Sequence, residues 1–369
     1  MLQNKILEKL KNYYINNLDR KIIEINSNDG RFINSGQINF ASNDYLGLSK
    51  NLLVKKSFIE GSDLYGFGSG SSALISGYYS PIRQLEEEFA KILKAKKAIL
   101  FNSGYHANLG VIQALDMPLV MDKLSHASII DGARLSGNKF YRYRHNDLNH
   151  AEELLKKLPS SLLISERVFS MEGCITDIKK LKFLSKKYKA HLIIDDAHGF
   201  GVLSNDIEPD NNTTIIIPLG KALGGVGAIV AGSDFMIDYL RQFARSYIYS
   251  TTLPPAVAYA NLEALKIMQK ENKLRDKLIE LIKFFNREAR NIGLKLVSDH
   301  TTPIRSILID GSESAKRVEK ELQRKGFFVK AIVKPTVPTS RIRISVSAVH
   351  KKEDIINLIR ALDDCKKLF

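Results

Sequence analysis

The chain has 369 residues, is 44% hydrophobic and 26% charged, and carries 55 Lys and Arg against 40 Asp and Glu, a formal net charge of +15. That length suits a large domain with a full core plus a smaller one, and the ordinary composition excludes low-complexity and solenoid-repeat architectures. The positive excess is lysine spread along helices, as at Lys179-Lys180 and Lys186-Lys187, with no Arg-rich stripe or nucleic-acid motif, so nucleic acid is not an expected partner.

Cys174 and Cys365 have no metal-ligand or redox spacing, so two free thiols and no metal are expected. No apolar run reaches the length of a membrane span, and the first twenty residues lack a signal-peptide core. The expected location is therefore the cytoplasm, with no membrane partner.

Residues 1–20 read as an amphipathic helix, with Ile6, Leu10 and Tyr14 at helical spacing. Residues 22–40 read as short strands separated by Asn-Asp-Gly and Asn-Ser-Gly turns. The compact loop Ser42-Asn43-Asp44-Tyr45-Leu46-Gly47-Leu48 follows. The glycine-rich stretch at 65–72 looks like a dinucleotide fingerprint, but no apolar strand precedes it and the reading fails on context. A helix is predicted over 82–95, with Leu85, Phe89 and Ile92 on one face. Next come a strand at 98–101, a turn at 102–105 and a helix at 107–115. Strand, small-residue turn and helix N-terminus together can hold a phosphate, since the free N–H groups and the dipole both favour an anion; an ordinary βα turn reads the same way.

His126 follows another short strand, in Leu124-Ser125-His126-Ala127-Ser128, where an imidazole can stack on a planar ring or cap a helix. Residues 162–166 form a further strand, with Phe169-Ser170-Met171-Glu172-Gly173 beyond it and a helix carrying Ile178, Leu181, Leu184 and Tyr188 on one face. Leu192-Ile193-Ile194 then ends in Asp195-Asp196-Ala197-His198-Gly199, and Thr214-Ile215-Ile216-Ile217 ends in Pro218-Leu219-Gly220-Lys221. Short apolar runs closed by polar residues and glycine read as buried parallel strands, and ligands sit beyond their carboxyl ends. Two such strands would bring a carboxylate, an imidazole and an amine to one rim. A desolvated lysine there can form a Schiff base with a carbonyl, including that of pyridoxal phosphate, whose ring nitrogen an ionised Asp keeps protonated.

Residues 228–231 form one more strand, Tyr249-Ser250-Thr251-Thr252-Leu253-Pro254-Pro255 a rigid turn, and 256–292 a long helical segment. Strand-like runs at 304–309, 327–333 and 342–346 with helices at 312–325 and 354–367 make a small α+β domain. The expected fold class is α/β, a large domain with a mainly parallel sheet plus that small C-terminal domain. The expected divisions are 1–40 for the N-terminal helix and strands, 41–262 for the large cofactor-binding domain and 263–369 for the small one.

Taken together, the 42–48 loop, the His126 and Asp195–Gly199 segments, Gly220-Lys221, the 249–255 turn, and Lys334-Pro335-Thr336-Val337-Pro338 with Arg341-Ile342-Arg343 are identifiable. Over essentially its whole length the sequence resembles the α-oxoamine synthases, fold-type I pyridoxal-phosphate enzymes. The resemblance implies that Lys221 holds pyridoxal 5'-phosphate as a Schiff base and that Asp195 pairs with the ring nitrogen. It implies that His198 and Ser170 bond the ring's polar edge, that His126 stacks on its face and touches substrate, and that Gly104 and Tyr105 give backbone donors to the phosphate. Arg20, Thr336 and Arg343 match substrate-contacting positions, with Arg343 the partner of the amino-acid carboxylate. The implied assembly is a homodimer in which Thr251 or Thr252 reaches the neighbour's cofactor phosphate.

The implied reaction is an acyltransferase step of biotin biosynthesis, condensing L-alanine with pimeloyl-CoA or pimeloyl-acyl carrier protein and releasing carbon dioxide and thiol. The alternatives are a glycine-using member of the family and a non-catalytic partner subunit. Three positions depart from the family pattern. Pro218 stands where Thr or Ser is usual, Ala73 where an arginine is, and Ile82 where a histidine is.

Overall fold

The computed structural model describes every residue except Asn17, Arg20, Ser35, Asn205 and Glu271. The described residues gather into two compact units, one of residues 43–170 and 174–276, the other of residues 1–42, 171–173 and 277–369. Residues 1–40, expected as a division of their own, thus fall in the unit that joins 1–42 to 277–369. Among the described residues no helix is long and apolar enough to cross a membrane.

The larger unit is built on a seven-stranded sheet. Across it lie Lys97–Phe101, Ala228–Gly232, Thr213–Pro218, His191–Asp195, Leu162–Glu166, Leu119–Asp122 and Phe140–Tyr143. The last five pair in parallel, and Ala228–Gly232 runs against both of its neighbours. Side chains alternate faces along a strand. Ile99 and Phe101, Leu119 and Met121, and Leu162 and Ile164 therefore point to one face, where they pack with Val111, Ile129 and Ile237. The intervening Leu100, Val120, Leu163 and Leu192 are buried as well. Burial on both faces is why these strands read as continuous apolar runs. Register then sets the rim: Glu166 lies beside Asp195, and Asp195 beside Ile216.

Helix Gly104–Ala114 starts three residues ahead of its predicted first residue, capped by Ser103, whose side chain accepts the His106 N–H. Gly104 is required there: a Cβ would sit 2.5 Å from Pro218 Cγ. The helical segment predicted over 256–292 is helical over Pro255–Lys270 and Asn272–Asn291, with Glu271 outside the described residues. Helix Leu2–Ile15 is shorter than predicted and has no buried residue.

In the smaller unit, Arg341–Ser345 is the centre of an antiparallel sheet between Ile304–Leu308 and Lys330–Ile332. A second sheet joins Phe32–Ile33, Gln37–Asn39 and Phe327–Phe328. The single strand predicted over 327–333 is thus two short ones, each serving a different sheet. Helices Ser312–Arg324 and Lys352–Asp364 complete the unit. Its largest fully buried side chain is Arg305, which donates to Asn286 Oδ1 and Ser298 O through Nη1 and to His300 O and Thr302 Oγ1 through Nη2.

Candidate active site

Beyond the carboxyl ends of the central strands of the larger unit lies a cavity of about 280 Å³, lined among others by Gly104, Tyr105, His126, Asp195, His198 and Lys221. Asp195 closes strand His191–Asp195 and is buried. Its Oδ2 accepts from Asn108 Nδ2 at 2.7 Å and its Oδ1 from the Ala197 N–H at 3.0 Å. Burial pushes its carboxyl above the ordinary range, while the Asn108 hydrogen bond and the charges of His126 and Lys221 pull the other way. The adjacent Asp196 turns to Arg167, with Nη1 3.1 Å from its Oδ2, and burial still raises it to about 7.

His198 is buried, and its Nδ1 lies 2.7 Å from the Tyr45 hydroxyl. This gives a role to the 42–48 loop. Asp44 folds it by accepting the Leu48 and Ser49 N–H groups, and Tyr45 is delivered to the imidazole. The loop packs on the lysine turn so closely that a Cβ on Gly224 would come within 2.4 Å of the Ser49 nitrogen. His126 caps helix Ala127–Leu135; Glu166 Oε1 accepts its backbone N–H at 2.7 Å, and its Nδ1 lies 2.8 Å from Ser128 Oγ. Ser128 in turn accepts from Asn108, so one amide ties the histidine's support to the Asp195 carboxylate.

At the cavity's other side, Ser103 takes the His106 and Ala107 N–H groups. The N–H groups of Gly104 and Tyr105 stand at the helix start, where no intrahelical acceptor exists. A phosphate is favoured there by those donors and the helix dipole. Lys221 reaches the cavity from the turn after strand Thr213–Pro218.

Six of the predicted residues therefore share one cavity. Ser170 and Thr251 belong to the same unit but are not among its lining residues. Ser170 is half-buried, and Thr251 is exposed with its carbonyl accepting from Asn102 Nδ2. Thr336 and Arg343 belong to the smaller unit. Thr336 is exposed and donates its N–H to Val333 O, and Arg343 is buried with Nη1 donating to Ser345 Oγ at 3.1 Å. Arg20 lies outside the described residues. The sequence reading missed Asn108, Ser128 and Glu166. Asn108 falls one helical turn after Gly104, the only linear signal that it faces the same way.

These residues fit pyridoxal phosphate. A buried carboxylate held by an amide and a backbone N–H suits a cationic ring nitrogen, a helix start with unspent N–H groups suits a phosphate, and Lys221 supplies an amine. The sequence pattern of the aminotransferase class I and II family matches residues 35–362. The chain belongs to that family, whose fold is the mixed α/β of pyridoxal-phosphate enzymes. The 8-amino-7-oxononanoate synthases of Saccharophagus degradans and Pseudomonas putida are 40% and 41% identical to it over 341 residues, 88% of this chain and 86% and 87% of theirs. The solved 8-amino-7-oxononanoate synthase of Francisella tularensis superposes with a TM-score of 0.78 at 34% identity, covering 90% of this chain and 98% of that one. A serine palmitoyltransferase from Sphingomonas wittichii shares the fold, with a TM-score of 0.88 at 24% identity over 98% of this chain and 96% of its own. Within the aminotransferase family the chain thus groups with the 8-amino-7-oxononanoate synthases of biotin biosynthesis.

Proposed function

We propose that this chain condenses L-alanine with a pimeloyl thioester to give 8-amino-7-oxononanoate, carbon dioxide and free thiol. The observation that carries the reading is the convergence of Lys221, Asp195, His198, His126 and the Gly104–Tyr105 helix start on one cavity of the larger unit. Pyridoxal phosphate bound there supplies an electron sink for a carbanion at the alanine Cα. Asp195 would accept a hydrogen bond from the cofactor's ring N–H and keep that proton in place. Asn108 fixes the carboxylate's orientation through the 2.7 Å bond to Oδ2. His198, aimed by Tyr45, would bond the ring's polar edge, and Ser170 would do the same from the loop after strand Leu162–Glu166. The Gly104 and Tyr105 N–H groups bind the phosphate.

Lys221 Nζ would take the Cα proton of alanine and later return one to product; it must be neutral to do so. His126 covers the ring face, excludes water and positions the alanine. Arg343 is the proposed partner of the amino-acid carboxylate, and Arg20 and Thr336 are proposed substrate contacts. Coenzyme A and acyl carrier protein both serve this reading as thioester carriers.

The active assembly is a homodimer in the cytoplasm. Leu52, Leu53, Phe67, Leu74 and Ile75 of the larger unit are exposed large apolar side chains, the kind of surface that a second copy covers. The exposed Thr251, absent from its own cavity's lining, then reaches the neighbour's phosphate.

Purified protein mixed with L-alanine and pimeloyl-CoA should release carbon dioxide and yield a product of the mass of 8-amino-7-oxononanoate. A glycine response with no alanine response would overturn the substrate assignment. Lys221→Ala should bind the cofactor non-covalently, lose the borohydride-sensitive absorbance and lower turnover on the order of 10²–10⁴-fold or more. Retained turnover would sink the lysine's role.

A further inference from the structure

Away from the cavity, three side chains of the larger unit form a second constellation. Asp122, at the end of strand Leu119–Asp122, is buried, and its Oδ1 lies 3.1 Å from His145 Nδ1. The other ring nitrogen, His145 Nε2, lies 3.1 Å from Cys174 Sγ. Asn146 fixes both ends: its N–H donates to Asp122 Oδ2 at 2.8 Å, and its Nδ2 stands 3.5 Å from the sulfur. Thr176 Oγ1 donates to Asn146 Oδ1 and holds that amide's orientation. Phe169 packs edge-on against the imidazole at 4.4 Å. Cys174 itself is half-buried.

We propose that Cys174 is a modification site, a thiol made nucleophilic by the Asp122–His145 pair, whose reaction partner is a small disulfide. A thiolate is the reactive form of cysteine, and an imidazolium N–H aimed at sulfur stabilises it. A carboxylate on the far ring nitrogen stabilises that imidazolium and fixes its orientation. Burial opposes protonation of His145, but hydrogen bonds to Asp122 and Cys174 and the charges of those two groups outweigh it and push the imidazole up to about 10. Asp122 and Cys174 are the titratable groups with the largest effect on it.

The Cys174 sulfur, its proton resting on His145 Nε2, attacks one sulfur of the disulfide. The reagent's S–S bond breaks, a new S–S bond to Cys174 forms, and the departing thiolate takes up that proton. Nothing in the cluster serves the proposed condensation, so the two readings stand or fall separately.

Cys365 is the internal contrast, a buried thiol that burial pushes up. The test is iodoacetamide labelling of the holoenzyme at about pH 6.5, where an ordinary thiol of pKa ~8.5 is about 1% thiolate. Sites and rates are read by peptide mass spectrometry in the folded protein and in urea. Cys174 should label roughly tenfold or more faster folded than unfolded, despite its partial burial, while Cys365 labels only in urea. His145→Gln should bring the folded Cys174 rate to or below the unfolded one. Oxidised glutathione should leave a dithiothreitol-reversible adduct on the Cys174 peptide. A Cys174 rate no faster folded than unfolded overturns the proposal without needing any variant, and so does an unchanged rate in His145→Gln.

Discussion

Two buried charges, one in each unit, show how differently folding can treat an ionised side chain. Arg305 in the smaller unit is enclosed by four oxygen acceptors from Asn286, Ser298, His300 and Thr302. Desolvation still pulls its guanidinium down to about 10, leaving it charged at neutral pH. Asp195 in the larger unit is equally buried but lines a cavity, and the donors fixed on its two oxygens are one amide and one backbone N–H. A buried charge costs several kcal/mol unless its surroundings compensate it. Around Arg305 the protein supplies acceptors for both Nη atoms, with Nε alone left without one. At Asp195 the carboxyl is left raised, and in the proposed function the cationic cofactor ring would complete it.

The largest effects should come from reversing these two charges' circumstances. Asp195→Asn should lower turnover by about 10²–10³-fold, the scale of removing one electrostatic partner at a reacting centre. The cofactor-free variant should nevertheless melt at the same temperature as the parent or higher, because a penalised charge has been removed. Arg305→Leu should do the opposite. It strands buried oxygen acceptors, at about 1–3 kcal/mol for each one left unsatisfied, so melting should fall steeply while turnover per folded molecule stays near normal. Calorimetry with kinetics on both variants checks the contrast; a destabilised Asp195→Asn would break it.

His350 sharpens the same comparison through pH. Its Nε2 lies 3.0 Å from Asn39 O, and its Nδ1 accepts the Ser347 N–H. That is a complete set for a neutral imidazole, and burial lowers it to about 4 from 6.5. The unfolded chain therefore binds the extra proton first. Stability attributable to His350 is full above about pH 6.5 and is lost as pH falls towards 4, by roughly 3 kcal/mol at most. Denaturant titrations between those pH values should show the slope, and His350→Gln should flatten it.

The smallest expected effect lies at Pro218, which has neither hydroxyl nor N–H to offer the phosphate and packs against Gly104. Pro218→Thr should tighten cofactor binding several-fold, towards the roughly tenfold that one hydrogen bond to a charged group contributes at its lower end. Titration of cofactor into apoprotein measures it, and equal or weaker binding would show that the phosphate is already fully served by other donors.

The Asp195 and Lys221 strand ends were legible because burial on both faces leaves a continuous apolar run and the chemistry begins where that run stops. Asn108 was not legible: a lone amide in a helix carries no pattern, and its partners arrive from Ser128 and Asp195 through tertiary packing. Strand Phe140–Tyr143 was invisible because Phe140, Tyr141 and Arg142 are exposed at the sheet's edge, so no apolar run marks it. The split of 327–333 has another cause: strand-like character persists in the sequence while the partner strand changes, and partners are not written locally. Tyr45 lies between these cases: its motif could be seen, but its purpose waited on His198.

The make-up of the smaller unit has a consequence for how the protein is made. Arg31 and Asp354 form an ion pair at 2.6 Å across 323 residues of chain, and strand Gln37–Asn39 pairs with Phe327–Phe328. At translation rates of ~5–20 residues per second, the amino-terminal segment waits some tens of seconds on the ribosome for its partners. Residues 43–276, which carry every lining residue of the Asp195 cavity and every strand of the seven-stranded sheet, emerge during that interval. The early strand edge stays open meanwhile, a template for mispairing with other nascent chains. Biosynthesis thus orders the molecule from the middle outward, and the step most exposed to chaperones and proteases is the final closure of its two ends.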